Sequence, residues 1–306
     1  MPAAKAWSKR GVLVAPDPDI SWMSHYVGPT FVEAAGGDAF TLYITGRDGS
    51  NRSRVGRAHA VVRDLSLDIV SIERRPLFDL GELGCFDESG VSYPWIIDIG
   101  RAKLMYYVGW VAGGLARFQN FTGLAVSEDG GETFRRHLRV PILDRTDREP
   151  YGSGSCAVYP RNGAFEMMYT AFEPWGMRHG RMQPSYNIKL ARSADGYAWR
   201  RDGETVIDFA GEHEYVIGKP MVLKDEGIYK LWYSHRGPAY RIGYAESVDG
   251  ATYVRKDHLV GIDVSSSGWD SEMIEYGFVF RHGSRLFMVY NGNQFGKTGL
   301  GWAIQV

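Results

Sequence analysis

Five copies of one short signature constrain this chain more than any other feature. Each copy has a brief apolar run, a turn rich in Gly or Asn, an aromatic strand carrying a tyrosine, a polar loop and a strand of small residues. The aromatic strands lie at 41–45, 104–108, 166–170, 230–234 and 287–291, and their tyrosines are Tyr43, Tyr107, Tyr169, Tyr233 and Tyr290. They recur about every 60 residues, a period of blades or arrays rather than of solenoids. The preceding apolar runs lie at 29–32, 94–97, 156–159, 220–223 and 277–280, and the small-residue strands at 54–61, 122–126, 187–191, 241–245 and 299–304.

Three copies go on to a Ser-x-Asp-Gly turn, at Ser127, Ser193 and Ser247, followed by Phe134, Trp199 or Tyr253. Asp-Gly after a strand reads as a tight turn into a fourth, outer strand. Asp129, Asp195 and Asp249 are therefore turn residues. Five four-stranded units predict an all-β chain, a five-bladed β-propeller forming a single domain over 1–306. A two-sheet sandwich also alternates short strands and turns, but it does not call for five copies of one signature. The last copy stops after its third strand. The spare apolar segment 11–15 is expected to pair in that final blade, close the ring and cover an exposed edge.

Composition narrows the function classes. A net charge of −1 gives no reason to expect nucleic acid or an anionic membrane as partner. No apolar run approaches the ~18 residues of a membrane span. Residues 1–10 are followed by no apolar stretch long enough for a signal peptide. Cys85 and Cys156 read as free thiols of a reducing, cytoplasmic compartment.

In a propeller the innermost strands line a central channel, so their entry points converge. Alignment on Pro29, Pro94, Ser155, Pro220 and Gly277 places Met23, Glu88, Glu149, Glu214 and Ser271 six residues earlier, with Glu272 one place on and Asp87 and Asp270 one place back. Carboxylates facing one pit push each other's pKa values apart, the condition for an acid and a base to coexist in glycosidic cleavage. Asp87, Glu149, Glu214, Asp270 and Glu272 are the candidate catalytic residues. The first copy offers His25 instead. Loops after the aromatic strands add Arg47, Arg52, Arg54, Trp110, His235, Arg236, Tyr240 and Asn291, and Tyr151 follows Glu149 closely. Such aromatic, amide and guanidinium groups suit a small-molecule or oligosaccharide ligand, and the arginines favour an anionic one. The bland alternative is that these arginines neutralise the carboxylates and stitch blades together. No cofactor motif is present. His25, His213 and His235 leave room for a divalent cation, but no short ligand spacing argues for one.

These features resemble the five-bladed propeller superfamily of glycoside hydrolases, which includes families 43, 32, 68 and 130. The resemblance covers essentially the whole chain. Phe86-Asp-Glu-Ser-Gly-Val, Tyr106-Tyr-Val-Gly-Trp, Ile142-Leu-Asp-Arg, Tyr240-Arg-Ile-Gly-Tyr-Ala-Glu-Ser, Gly268-Trp-Asp-Ser-Glu-Met and Tyr290-Asn-Gly-Asn are more narrowly similar to propeller proteins of bacterial surface-polysaccharide gene clusters. The resemblance implies a hydrolase-like, carbohydrate-active enzyme of polysaccharide biosynthesis. In it, Glu149 would be the general acid, Asp87 would tune it, and Glu214, Asp270 or Glu272 would be base or nucleophile. Ser24-His25-Tyr26 departs from the pattern, which expects an Asp on the first blade. That departure keeps two alternatives open: a non-catalytic propeller that binds a glycan or sugar nucleotide, and a transferase, lyase or cyclase on the same scaffold.

Overall fold

Tight turns and alternating burial give strands almost throughout the computed structural model, which describes residues 6–178 and 180–306. In chain order, β1 (Trp7–Val14) is followed by β2 (Tyr26–Gly36), β3 (Ala39–Arg47), β4 (Ser53–Arg63) and β5 (Ser66–Ile72). Next come β6 (Gly90–Asp98), β7 (Lys103–Ala112), β8 (Phe118–Ser127) and the two-residue β9 (Arg135–Arg136). They are followed by β10 (Ser153–Arg161), β11 (Ala164–Arg178), β12 (Arg181–Ser193) and β13 (Arg200–Ile207). The rest are β14 (Val216–Asp225), β15 (Ile228–Arg236), β16 (Tyr240–Ser247), β17 (Val254–Arg255), β18 (Glu275–His282), β19 (Arg285–Asn291) and β20 (Leu300–Gln305). The architecture is all-β.

The chain divides into two units. One holds Met1–Pro76 and Met221–Val306, the other Leu77–Pro220. In the first unit, β2 to β5 form an antiparallel meander, β15 to β17 a second, and β18, β19, β20 and β1 a third. In the second, β6 to β9 and β10 to β13 form two more.

β1 pairs antiparallel with β20 and starts at Trp7, four residues before the apolar segment at 11–15. Side chains that carry no apolar signal explain the extension. The Trp7 indole donates to the Val260 carbonyl at 3.0 Å, and the Lys9 ammonium reaches Asp270 at 2.7 Å.

The repeated tyrosines are the core of each meander, at most 2 % exposed. Ser127, Ser193 and Ser247 accept from the amides of Gly131, Gly196 and Gly250, while Asp129, Asp195 and Asp249 accept from the amides that follow. These are the expected Asx-type turns. Their hydrogen bonds lower the pKa of all three aspartates, that of Asp249 to about 2.

One hairpin goes against local preference. Between Arg63 and Ser66, the turn residues Asp64 and Leu65 have φ of 49° and 65°, and Leu65 is 48 % exposed. A bulky residue there costs roughly 1–2 kcal/mol. Leu65→Gly is therefore expected to stabilise the protein by ~1 kcal/mol, read as a higher denaturant midpoint at unchanged slope.

Candidate functional site

Four of the five repeated tyrosines end on a carboxylate that a basic side chain also grips. In the second unit, the Tyr107 hydroxyl donates to Asp87 at 3.0 Å, and Arg136 Nε donates to the same oxygen at 2.7 Å. Tyr169 donates to Glu149 at 2.7 Å and Arg201 donates at 2.8 Å. In the first unit, Tyr290 donates to Asp270 at 3.0 Å and Lys9 at 2.7 Å. Tyr233 donates to Asp257 at 2.5 Å and Arg255 at 2.6 Å. Tyr43 differs, donating to Glu33 on the neighbouring strand at 2.9 Å. Burial first, and then the adjacent carboxylate, pushes the Tyr107, Tyr169 and Tyr290 hydroxyls far above the usual phenol range, so they remain donors. Asp87 is 0 % exposed, Asp270 1 % and Glu149 4 %.

Before Asp87 and before Asp270 stands an aromatic residue that packs on glycine. A Cβ on Gly109 or Gly123 would come within 2.5 or 2.7 Å of Phe86, and one on Gly292 or Gly301 within 2.3 or 2.1 Å of Trp269. Trp22 fills the same role over Gly46 and Gly56. Asp87, Glu149 and Asp270 thus sit in three separate Tyr–acid–base latches.

The other sequence candidates make local contacts. Glu214 accepts from the Ala210 amide at 2.7 Å, a local turn closure. Glu272 is exposed, and its amide donates to Asn293 Oδ1 at 2.8 Å. His25 is exposed beside Ser24, at 3.0 Å. Arg54 pairs with Asp48 at 2.7 Å, and the Arg52 amide bonds the same aspartate. Tyr151 is 40 % exposed, and Trp110 stands opposite Gly90 and Asn120 in β7. The ring of His235 lies 6.1 Å from that of Tyr233. His179 lies outside the described residues. Among the described residues, no three His, Cys, Asp or Glu side chains group as metal ligands.

Four candidates do gather in the first unit, around a residue that motif reading passed over. Glu275 opens β18, faces Asn291 across the β18–β19 pairing and is 0 % exposed. Among the described residues, neither of its carboxylate oxygens finds a hydrogen-bond partner of sound geometry. Burial raises its pKa well above the usual glutamate value, while Tyr276, Arg236 and Arg47 act in the opposite direction. Burial prevails because an unsolvated carboxylate is penalised more than guanidinium groups at a distance can offset.

Tyr276 has φ of 58°, and its amide donates to the Ser234 hydroxyl at 2.7 Å. The Tyr240 ring lies 6.1 Å from that of Tyr276, and the Arg236 guanidinium sits 5.3 Å over Tyr240. Asn291 is 0 % exposed, and its Oδ1 also lacks a partner among the described residues. Arg47 and Arg236 thus act on the charge of Glu275, Asn291 faces it across the strands and Tyr240 packs beside Tyr276, so four candidates gather about a buried acid whose pKa is raised.

The second unit has its own buried charge, at Lys219. Its φ is 51°, its amide donates to Ser155 Oγ at 3.0 Å, and its ammonium lies 5.9 Å from the Trp95 ring centroid. Burial lowers its pKa from 10.5 to about 8, with Cys156 acting weakly the other way.

No protein-family model matches the chain. The uncharacterized protein Rv1502 of Mycobacterium tuberculosis is 36% identical over 301 residues, covering 98% of this chain and 99% of its own. Among solved structures, an RGII complex of BT0996 superposes with a TM-score of 0.75 at 19% identity, over 99% of this chain and 92% of that one. A structure from work on β-1,2-mannosidic linkages in Candida mannan, which found glycoside hydrolases within the family 130 mannoside phosphorylases, gives a TM-score of 0.74 at 14% identity. It covers 99% of this chain and 94% of its own. At these identities the likeness establishes the fold.

Proposed function

The chain belongs to the same protein family as Rv1502 of Mycobacterium tuberculosis and carries the propeller fold of the glycoside hydrolases, and from that premise we propose that it is a carbohydrate-active enzyme whose general acid is Glu275. One observation carries this reading: Glu275 is fully buried, neither of its oxygens has a hydrogen-bond partner of sound geometry among the described residues, and its pKa is raised. A carboxylic acid kept neutral near pH 7 can protonate the leaving oxygen of a glycosidic bond. Arg47 and Arg236 favour a sugar that carries a carboxylate or phosphate. Asn291 Oδ1 accepts from a sugar hydroxyl. Glu272, three residues upstream and exposed, is the base assigned to the opposite face of the sugar.

Asp87, Glu149 and Asp270 hold meanders together in this reading and do not touch the substrate. Five repeated signatures, with β1 on β20, support one ring of five blades closed by the N-terminal strand. Two free thiols, Cys85 and Cys156, support a cytoplasmic setting, and among the described residues no helix is long and apolar enough to cross a membrane. Work on bacterial surface polysaccharide fits these features.

The latching of three of the expected catalytic carboxylates favours a second reading, a propeller that binds a glycan without cleaving it. Release of reducing ends from uronic-acid-containing polysaccharides separates the two. The enzyme reading expects release by the wild type and none by Glu275→Gln, whereas binding without release supports the second.

A further inference from the structure

A half-exposed aromatic on a strained backbone stands beside the Glu275 cluster. Phe295 is 47 % exposed. It and Gln294 have φ of 62° and 55°, consecutive left-handed residues in the loop between β19 and β20. Neither is glycine, so both carry backbone strain, and such strain persists only where the surroundings impose it.

The surroundings here do impose it. Asn293, 5 % exposed, accepts from the amides of Glu272 and Met273 at 2.8 and 3.2 Å and donates to the Gly268 carbonyl at 3.0 Å. Thr298 donates to the Trp269 carbonyl at 2.7 Å. Gly296 is pressed so closely on β2 that a Cβ there would stand 1.8 Å from the Val27 carbonyl oxygen. The loop is fixed at both ends while the ring it presents stays about half exposed.

Two links tie that ring to the acid. The Phe295 ring packs edge-on against Tyr240 at 5.8 Å, and Tyr240 lies 6.1 Å from Tyr276, the residue after Glu275. The Phe295 carbonyl accepts from Asn291 Nδ2 at 3.2 Å, and Asn291 is the cross-strand neighbour of Glu275. The same Asn291 keeps a fully buried Oδ1 without a partner among the described residues. A lone exposed Phe is ordinary. An exposed Phe on an anchored, strained loop, next to an unsatisfied buried acceptor, is not.

We propose that Phe295, backed by Tyr240 and Tyr276, is the stacking wall of a pyranose-binding subsite, with Asn291 Oδ1 accepting from a ring hydroxyl. A pyranose has one face of axial C–H bonds and a rim of hydroxyls. It therefore suits an aromatic face bordered by an amide acceptor, and the Arg236 guanidinium over Tyr240 adds a partner for an anionic substituent. This deepens the assignment of Glu275 and rests on the same cluster.

Saturation-transfer NMR with methyl β-D-glucopyranoside and its galacto and manno epimers tests the subsite. At least one probe is expected to bind the wild type, with saturation strongest on its axial protons. Phe295→Ala should weaken it about ten-fold, the loss of one aromatic contact, and Phe295→Trp should retain it, with thermal unfolding of both variants unchanged. Glu275→Gln should bind the probe as the wild type does, because stacking needs no acid. Failure of all three probes to bind, or equal binding by Phe295→Ala, overturns the subsite. Turnover retained by Glu275→Gln alongside a binding loss in Phe295→Ala removes the acid assignment and keeps the subsite.

Discussion

Glutamine in place of Glu275 is expected to lower turnover of an unactivated glycoside by roughly 10²–10⁴-fold, the usual contribution of a positioned general acid, while making the folded protein more stable. The two effects share one cause. Glu275 is fully buried and its pKa is raised well above the usual value in the folded state. Below the unfolded-state pKa of ~4.3, both states are protonated and folding carries no penalty from this group. As pH rises, the unfolded state releases its proton first. Stability then falls by about 1.4 kcal/mol per pH unit until the folded-state value is reached, and levels off above it. The glutamine of the variant has no proton to lose. Glu275→Gln should therefore gain on the wild type as pH rises above the unfolded-state value. A structural carboxylate would do the reverse, because its loss would weaken the fold. Aryl glycosides with good leaving groups, which need little acid help, should recover most of the lost rate in the variant. Activity and stability unchanged at all pH values would remove Glu275 from both roles.

The second large effect concerns the latches. Arg201→Met leaves Glu149 buried with only the Tyr169 hydroxyl and a lysine 4.0 Å away. Arg136→Met leaves Asp87 with only Tyr107 in the same way. Removing one partner of a buried pair costs about 3–5 kcal/mol because the other charge stays unsolvated. Each variant should lose that much stability in urea unfolding. Neutralising the stranded acid as well, in Arg201→Met with Glu149→Gln, should restore most of it. The double-mutant cycle then gives a coupling at least as large as the stability restored. If Glu149 were the general acid expected from the family resemblance, Glu149→Gln alone would abolish turnover at nearly unchanged stability. The latch account expects lost stability and retained turnover at temperatures where the variant stays folded.

Recurrence made the fold legible and blurred the site. Tyr43, Tyr107, Tyr169, Tyr233 and Tyr290 recur because each meander needs the same buried ring, and Ser127, Ser193 and Ser247 recur because each outer turn needs the same cap. Asp87, Glu149 and Asp270 recur for the same kind of reason, as partners of those tyrosines. A residue that recurs at one place in several repeats is as readily a packing partner as a reacting group. Glu275 carries the opposite signal. Two places before the shared alignment point the chain reads Val27, Ser92, Ser153, Gly218 and Glu275, so one carboxylate breaks an otherwise small or apolar column.

The placing of Arg47, Arg236, Tyr240 and Asn291 near Glu275 was legible because antiparallel pairing returns the end of each aromatic strand to the start of the strand before it. The left-handed backbone at Tyr93, Lys219 and Tyr276 was not, since each is a bulky residue where such φ values are rare. The strand ahead of residue 11 was missed because Trp7 and Lys9 hold it through an indole hydrogen bond and an ion pair. Hydropathy does not register either interaction.

The protonation state of Glu275 is the point on which the account turns. Carbon-13 NMR of protein labelled at glutamate carboxyl carbons follows it directly, with the resonance assigned by its disappearance in Glu275→Gln. The account predicts a carboxyl that titrates well above the ordinary glutamate range. A Glu275 resonance that titrates with the rest, near the ordinary ~4.3, would contradict it.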